Sequence, residues 1–289
     1  MAPGLARRVL DELSGSPLRE VIPSTMGEPL LWAGLDALAD LCAEQGLTLN
    51  VTTNGTWPGR GARAWAERLV PVASDVKVSW NGATAATAEG VMAGLDLGAA
   101  VEGVRAFSEV RDAHARAGAR RCTISFQVTA QEGNVAEIPD IVRLAASLGV
   151  DRVKLNHLQP RLPGLAARSQ RRTASGAARW NVAVREARRA AEEGGVRLQN
   201  AVELAPDPSD EAPRGPCPFL DREAWVLADG RFAPCPSPAA AEGGLGDFGS
   251  LADRSLAEVW SSDAYRALVA GHEAHEVCRS CAFRRPGGA

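Results

Sequence analysis

Four of the six cysteines in this 289-residue chain stand near its end, spaced Cys217-x17-Cys235-x42-Cys278-x2-Cys281. A Cys-x2-Cys pair presents two sulfurs on one tight turn. Two more thiols from a folded-back segment complete a four-thiolate cage, so the spacing predicts a metal site. The fold-back is written between the ligands: Trp225 to Phe232 alternates apolar and polar residues about Asp229-Gly230, a β-hairpin signal that returns Cys235 towards Cys217. Zinc and an iron–sulfur cluster both suit four thiolates. Only one pair forms a short knuckle, which favours iron–sulfur over structural zinc. A zinc tail with His272 or His275 as spare ligands stays open.

Upstream of the tail, β-branched runs alternate with helical periodicity. A helix over 4–14 groups Leu5, Val9, Leu10 and Leu13 on one face. Strands are predicted at Glu20–Thr25, Leu47–Thr53, Asp75–Trp80, Arg121–Thr129 and Arg152–His157, with helices at about 33–45, 61–69, 101–117, 135–148 and 177–193. Residues 83–100 read as a loop with a short helix. Such alternation argues for a parallel sheet of right-handed βαβ units, an open or closed barrel. Polar residues cluster at the carboxyl ends of the strands, at Gly27-Glu28, Thr53-Asn54, Ser79-Asn81, Gln127-Thr129 and Asn156-His157, the edge where parallel sheets carry their active sites.

Composition narrows the function classes. With 45% hydrophobic residues the chain can build a sizeable core, and a net charge of −3 offers no basic field for nucleic acid. No apolar run reaches membrane-spanning length, and Met1 to Arg8 lack the apolar stretch of a secretory signal. The expectation is a cytoplasmic protein with reduced cysteines. The Arg-rich run 161–172 and the basic helix after it read as solvated surface. The Pro/Asp-rich stretch 205–216 reads as a linker, dividing the chain into a barrel over 1–204 and a cysteine domain over 205–289.

These features together resemble the radical S-adenosylmethionine superfamily, in the branch with a SPASM or twitch auxiliary-cluster domain. The resemblance runs from about residue 4 to 283. It rests on Gly27-Glu28-Pro29, Thr53-Asn54-Gly55, Ser79-Trp-Asn-Gly82, the four tail cysteines, Gly246-Asp247-Phe248-Gly249-Ser-Leu251 and Leu256-Ala-Glu-Val-Trp260. In cysteine number and spacing the tail is similar to the one-cluster twitch type. The fold implied is α/β, a partial parallel (β/α) barrel lacking its first strand, followed by a small α+β cluster-binding domain with a β-hairpin. The resemblance further implies that Gly27, Glu28, Pro29, Thr53, Asn54, Ser79, Asn156 and His157 line the S-adenosylmethionine site. Glu28 and its neighbours would meet the methionyl amino group, Ser79 the carboxylate or ribose, and Asn156 and His157 the adenine. Cys217, Cys235, Cys278 and Cys281 would fully ligate an auxiliary 4Fe–4S cluster that carries an electron. The implied activity is hydrogen abstraction by a 5′-deoxyadenosyl radical, in the oxidation or modification of a peptide or small-molecule substrate, with flavodoxin or ferredoxin as electron donor.

One departure matters most. The family holds a second 4Fe–4S cluster on a Cys-x3-Cys-x2-Cys loop, and the 289 residues contain no such spacing. The two remaining cysteines, Cys42 within a helix and Cys122 at a strand start, read as buried and structural. In the family the order is strand, three-cysteine loop, helix, then the Gly-Glu-Pro strand, and this chain matches from the helix onward. The expectation is an incomplete N-terminus, with S-adenosylmethionine and the second cluster dependent on the missing block. A non-catalytic iron–sulfur or zinc-binding homologue, acting as a recognition or partner protein, is the alternative. Met26 and Asn81 are smaller departures, standing where the family usually has Gly and Asp.

Overall fold

A computed structural model of the chain describes residues 1–23, 27–158, 163–170, 173–205, 215–279, 281 and 284. It divides into two units, Arg19–Asp210 and a second made of Met1–Leu18 with Glu211–Ala289. In chain order, the elements are α1 (Pro3–Glu12), β1 (Glu20–Val21), α2 (Leu35–Glu44), β2 (Thr48–Thr53), α3 (Gly61–Leu69), β3 (Ala73–Ser79), α4 (Ala85–Val91), α5 (Leu97–Arg116), β4 (Thr123–Ala130), α6 (Ile138–Ser147), β5 (Arg152–His157), α7 (Ala174–Gly194), β6 (Arg197–Gln199), β7 (Trp225–Val226), β8 (Phe232–Ala233), α8 (Pro238–Ala241), α9 (Leu256–Trp260), α10 (Asp263–Gly271) and α11 (Glu276–Arg279).

In the larger unit the sheet runs β1-β2-β3-β4-β5-β6, every neighbour parallel, which is a partial (β/α) barrel. Strand periodicity of two sorts its faces. Leu49, Val51, Val76, Val78, Ile124, Phe126, Val128, Val153 and Leu155 are fully buried on one face. Asn50, Thr52, Lys77, Ser79, Gln127, Thr129, Lys154 and Asn156 alternate with them on the other and keep partial exposure. A barrel interior is usually packed with branched apolar side chains. Here polar side chains line that face instead.

The five predicted strands are present, with differences that have local causes. The first is formed at Glu20–Val21 only, and Ser24, Thr25 and Met26 lie outside the described residues. A sixth strand, β6, was not predicted, because three residues cannot display an alternation. Helix α5 starts four residues earlier than its periodicity suggests, since the Asp96 carboxylate accepts the Ala99 N–H at 2.9 Å and caps it. The linker falls largely on 206–214, outside the described residues, as do Arg161, Arg171 and Arg172 of the Arg-rich run. Cys42 and Cys122 are fully buried, as expected of structural thiols, and burial pushes them up to about 11 and about 12.

The first helix departs from the expected division at 204/205: α1 belongs to the cysteine-bearing unit, not to the barrel. Leu5, Val9 and Leu13 pack on that unit's core of Phe232, Phe248, Leu251, Val259 and Tyr265. The Arg8 guanidinium donates to the carbonyls of Leu251 and Ala252, and the Glu12 carboxylate accepts the Ala257 N–H at the start of α9. An amphipathic face identifies a helix that must be covered, but not the surface that covers it.

The small unit is built on its hairpin. The strands β7 and β8 pair antiparallel, Trp225 with Ala233 and Val226 with Phe232. Gly230 holds φ of +93° at the turn, a conformation costly to any side chain, and a Cβ there would also touch Leu5 and Ser250 at 3.0 Å. The rings of Phe232, Phe248 and Tyr265 meet edge to face at 5.4–6.0 Å. A reciprocal Ser255–Glu258 capping box opens α9.

Candidate active site and thiol cluster

At the carboxyl edge of the parallel sheet, Glu28 is the most connected of the expected residues. One carboxylate oxygen accepts the Leu30 N–H at 3.2 Å, capping the single turn Pro29–Leu31, and the other accepts the Asn54 N–H at 2.7 Å. Glu28 therefore ties the segment after β1 to the end of β2. Each oxygen keeps a lone pair for a further donor. Gly27 turns the chain into this cap with φ of +87°, and the Asn54 side chain closes an Asx turn onto Thr56 at 2.9 Å.

The eight residues expected at this edge separate by strand parity. Ser79 and Asn156 lie on the polar face, where Asn156 donates to the Gln127 side-chain oxygen at 3.3 Å. Thr53 does not share that face: it is buried among the apolar positions of β2, its hydroxyl accepting the Gly55 N–H at 3.3 Å. His157 is likewise on the helix side, its ring 4.2 Å from Trp180 of α7. Adjacent residues of a strand point to opposite faces, so a dipeptide at a strand end delivers only one side chain to the site.

The loops beyond β3 and β4 are held by polar clamps that the sequence did not disclose. Asn81 accepts the Thr129 N–H at 2.8 Å, and Asn134 donates to the carbonyls of Asn81 and Thr129, both at 3.0 Å. Glu137 accepts from the Ala83 and Thr84 N–H groups and the Thr84 and Thr87 hydroxyls, at 2.6–3.1 Å. Burial raises the Glu137 carboxyl, but the hydrogen bonds from Thr87, Ala83 and Thr84 outweigh it and hold the group below its ordinary value. The Thr84-x2-Thr87 pattern signals an N-cap in sequence. Its carboxylate partner lies some fifty positions away and carries no local signature.

In the small unit the four tail thiols share one neighbourhood. Burial pushes Cys235 up to about 11, against a backbone bond at Ser237, and charge on Cys217, Cys278 and Cys281 adds to the shift. Cys278, in α11, is raised first by burial and then by Cys217 and Cys281. The Cys217 sulfur accepts the N–H groups of Phe219 and Leu220, both at 3.5 Å. Cys281 closes the turn by donating its N–H to the Cys278 carbonyl at 3.2 Å. Among the described residues no three His, Cys, Asp or Glu side chains are assembled around a point the size of one metal ion. The expected spare zinc ligands are each engaged locally: His272 Nδ1 lies 2.9 Å from the Val269 carbonyl, and His275 Nδ1 accepts the Val277 N–H at 3.3 Å.

Comparison with known proteins bears on both regions. Residues 217–282 match SPASM, an iron–sulfur cluster-binding domain. The chain is 28% identical over 277 residues to a PqqA peptide cyclase of Methylorubrum extorquens, covering 95% of this chain and 67% of that one. A PqqA peptide cyclase of Methylobacterium nodulans is 27% identical over 258 residues, 88% of this chain and 64% of that one. In fold, the chain is similar to Streptococcus suis SuiB, with a TM-score of 0.68 at 15% identity over 98% of this chain and 65% of that one. Structures of SuiB bound to S-adenosylmethionine and to the precursor peptide SuiA each give 0.67 over 93% of this chain, at 15% and 16% identity. The chain thus spans about two thirds of the length of the relatives it matches. The parallel sheet, the tail match and these relatives together support a radical S-adenosylmethionine superfamily member with a SPASM domain.

Proposed function

We propose that this chain is a cytoplasmic radical S-adenosylmethionine-type enzyme that modifies a peptide, with Cys217, Cys235, Cys278 and Cys281 holding an auxiliary 4Fe–4S cluster. The observation that carries the reading is the convergence of those four thiols in the segment that matches an iron–sulfur domain. The donor set fits the group. Cys235 and Cys278, raised first by burial and then by the neighbouring thiols, need a cationic centre to hold them as thiolates, and Cys217 has two N–H donors aimed at its sulfur. When bound, such a cluster supplies a one-electron carrier whose potential is tuned by burial and N–H···S contacts.

The other residues bind and orient. Gly27, Glu28, Pro29, Asn54, Ser79 and Asn156 form the S-adenosylmethionine edge, Glu28 offering its carboxylate to the methionyl ammonium while its internal bonds fix its direction. Thr53 and His157 support that edge from the helix side. A peptide substrate is favoured over a small metabolite by the PqqA peptide cyclases and by SuiB with its precursor peptide. Flavodoxin or ferredoxin is the class of electron donor. A non-catalytic cluster-binding homologue is the second reading, favoured by one observation: none of the six cysteines stands in Cys-x3-Cys-x2-Cys.

Anaerobic reconstitution tests the cluster: the brown protein should carry about four irons per chain, lost in Cys278→Ser. Colourless protein with a single zinc overturns it. Equilibrium binding of S-adenosylmethionine, weakened in Glu28→Gln, separates the enzyme reading from the second one.

A further inference from the structure

The chain contains 32 lysines and arginines, and only two of them, Lys77 and Lys154, are lysines. Cations that merely solvate a surface are therefore written here as arginine. The two lysines occupy the same place in the fold: both lie on the polar face of the parallel sheet, on β3 and β5, either side of β4. Lys77 pairs in register with Ser125 and Lys154 with Gln127, so Gln127 stands diagonally beside Lys77 and directly opposite Lys154.

Among the described residues, two donors in this patch lack an acceptor. The Gln127 Nε2 group is buried without a hydrogen-bond partner, and its orientation follows from its oxygen accepting Asn156 Nδ2 on the other side. Among the described residues no carboxylate pairs with Lys77. The two acids on its face are taken: Asp75 by Arg152 and the Ser125 hydroxyl, Glu20 by Asn50 and Ser74. A half-buried ammonium and a buried amide N–H on adjacent strands, neither satisfied, are complementary to an anion.

We propose that Lys77 and Gln127, with Lys154 adding charge from the facing strand, form a subsite that takes a carboxylate carried by the substrate. This deepens the peptide-modification reading and rests on it: the subsite selects an acidic side chain and anchors it against β3 and β4. Lysine suits the place, because a compact ammonium on a flexible stem can follow a single carboxylate oxygen. The methionyl carboxylate of S-adenosylmethionine offers the same chemistry, so the test separates the two sources.

The test is calorimetric titration of the full chain with N-acetyl-aspartate amide, its neutral isostere N-acetyl-asparagine amide, and S-adenosylmethionine. The aspartate compound should bind about tenfold more tightly than the asparagine compound, the least that a charge-assisted bond implies. Lys77→Met should abolish the preference and leave S-adenosylmethionine affinity unchanged, and Lys77→Gln should do the same if the first variant folds poorly. Equal or undetectable binding of the two amides to the wild-type chain overturns the subsite. So does a loss of S-adenosylmethionine affinity in the lysine variants, which assigns the anion to the cofactor. An aspartate preference in a chain that takes no S-adenosylmethionine supports the subsite and counts against the proposed function instead.

Discussion

Replacing Asp151 by Ala should open the sheet where β5 begins. Arg111 of α5 is fully buried, and its guanidinium is held by Asp112 at 2.5 Å, Asp151 at 2.6 Å and the Gly149 carbonyl at 2.7 Å. The same Asp151 oxygen accepts the Ile124 N–H of β4 at 2.8 Å, while its other oxygen takes Arg121 at 2.6 Å. Removing the carboxylate leaves a buried cation with one anionic partner and a strand N–H with none. Breaking a buried pair costs about 3–5 kcal/mol. Asp151 is 23% exposed, so water recovers part of that, and about 3 kcal/mol is the working figure. Arg111→Met removes the buried charge itself and leaves Asp151 with Arg121 and the Ile124 N–H, so it should cost less, about 1–2 kcal/mol. Hydrogen exchange over β4 and β5 reads this directly. Asp151→Ala should raise exchange by about two orders of magnitude and Arg111→Met by about one. Equal effects, or a larger one for Arg111→Met, would refute the premise that the buried cation left with only Asp112 dominates.

Four further outcomes follow. Because Glu137 has a depressed folded pKa, its clamp on Ala83 and Thr84 stabilises fully above the unfolded carboxylate value, about 4.3, and is lost as pH falls through the folded value. The protection factors of those two amides, taken relative to the intrinsic exchange rate at each pH, should fall on acidification in the wild type and be low and independent of pH in Glu137→Ala. Leu5→Asp with Val9→Asp should expose the SPASM-bearing unit to limited proteolysis, while fragments of 19–205 stay protected, since α1 covers that unit's core. Cys42 and Cys122, with thiols raised to about 11 and about 12, should resist iodoacetamide at pH 8 in the native chain and react in urea. Gly103→Val should destabilise by about 1–3 kcal/mol, because a Cβ there strikes the indole of Trp57, which stacks on Phe107; thermal denaturation measures it.

Sequence and structure contributed at different ranges. Period-two runs such as Thr123–Ala130 and the Asp229-Gly230 turn are set by neighbouring side chains, and they were legible before any coordinates. So was the cysteine-bearing tail, which matches an iron–sulfur cluster-binding domain over 217–282. Strand parity is equally present in the letters, but which of its two faces turns to the helices, where Thr53 and His157 lie, is set by packing.

The residue types alone determined that the chain alternates strand and helix, gathers thiols in its tail and keeps two lysines among thirty-two cations, since each is a matter of local spacing or simple count. Which surface α1 covers, which carboxylates on the sheet face are already paired, and that Lys77 and Gln127 stand diagonally on adjacent strands with no acceptor among the described residues were decided only by tertiary structure. Those facts depend on residues brought together from tens to hundreds of positions apart, and a pattern read along the chain carries no information about what lies across the fold.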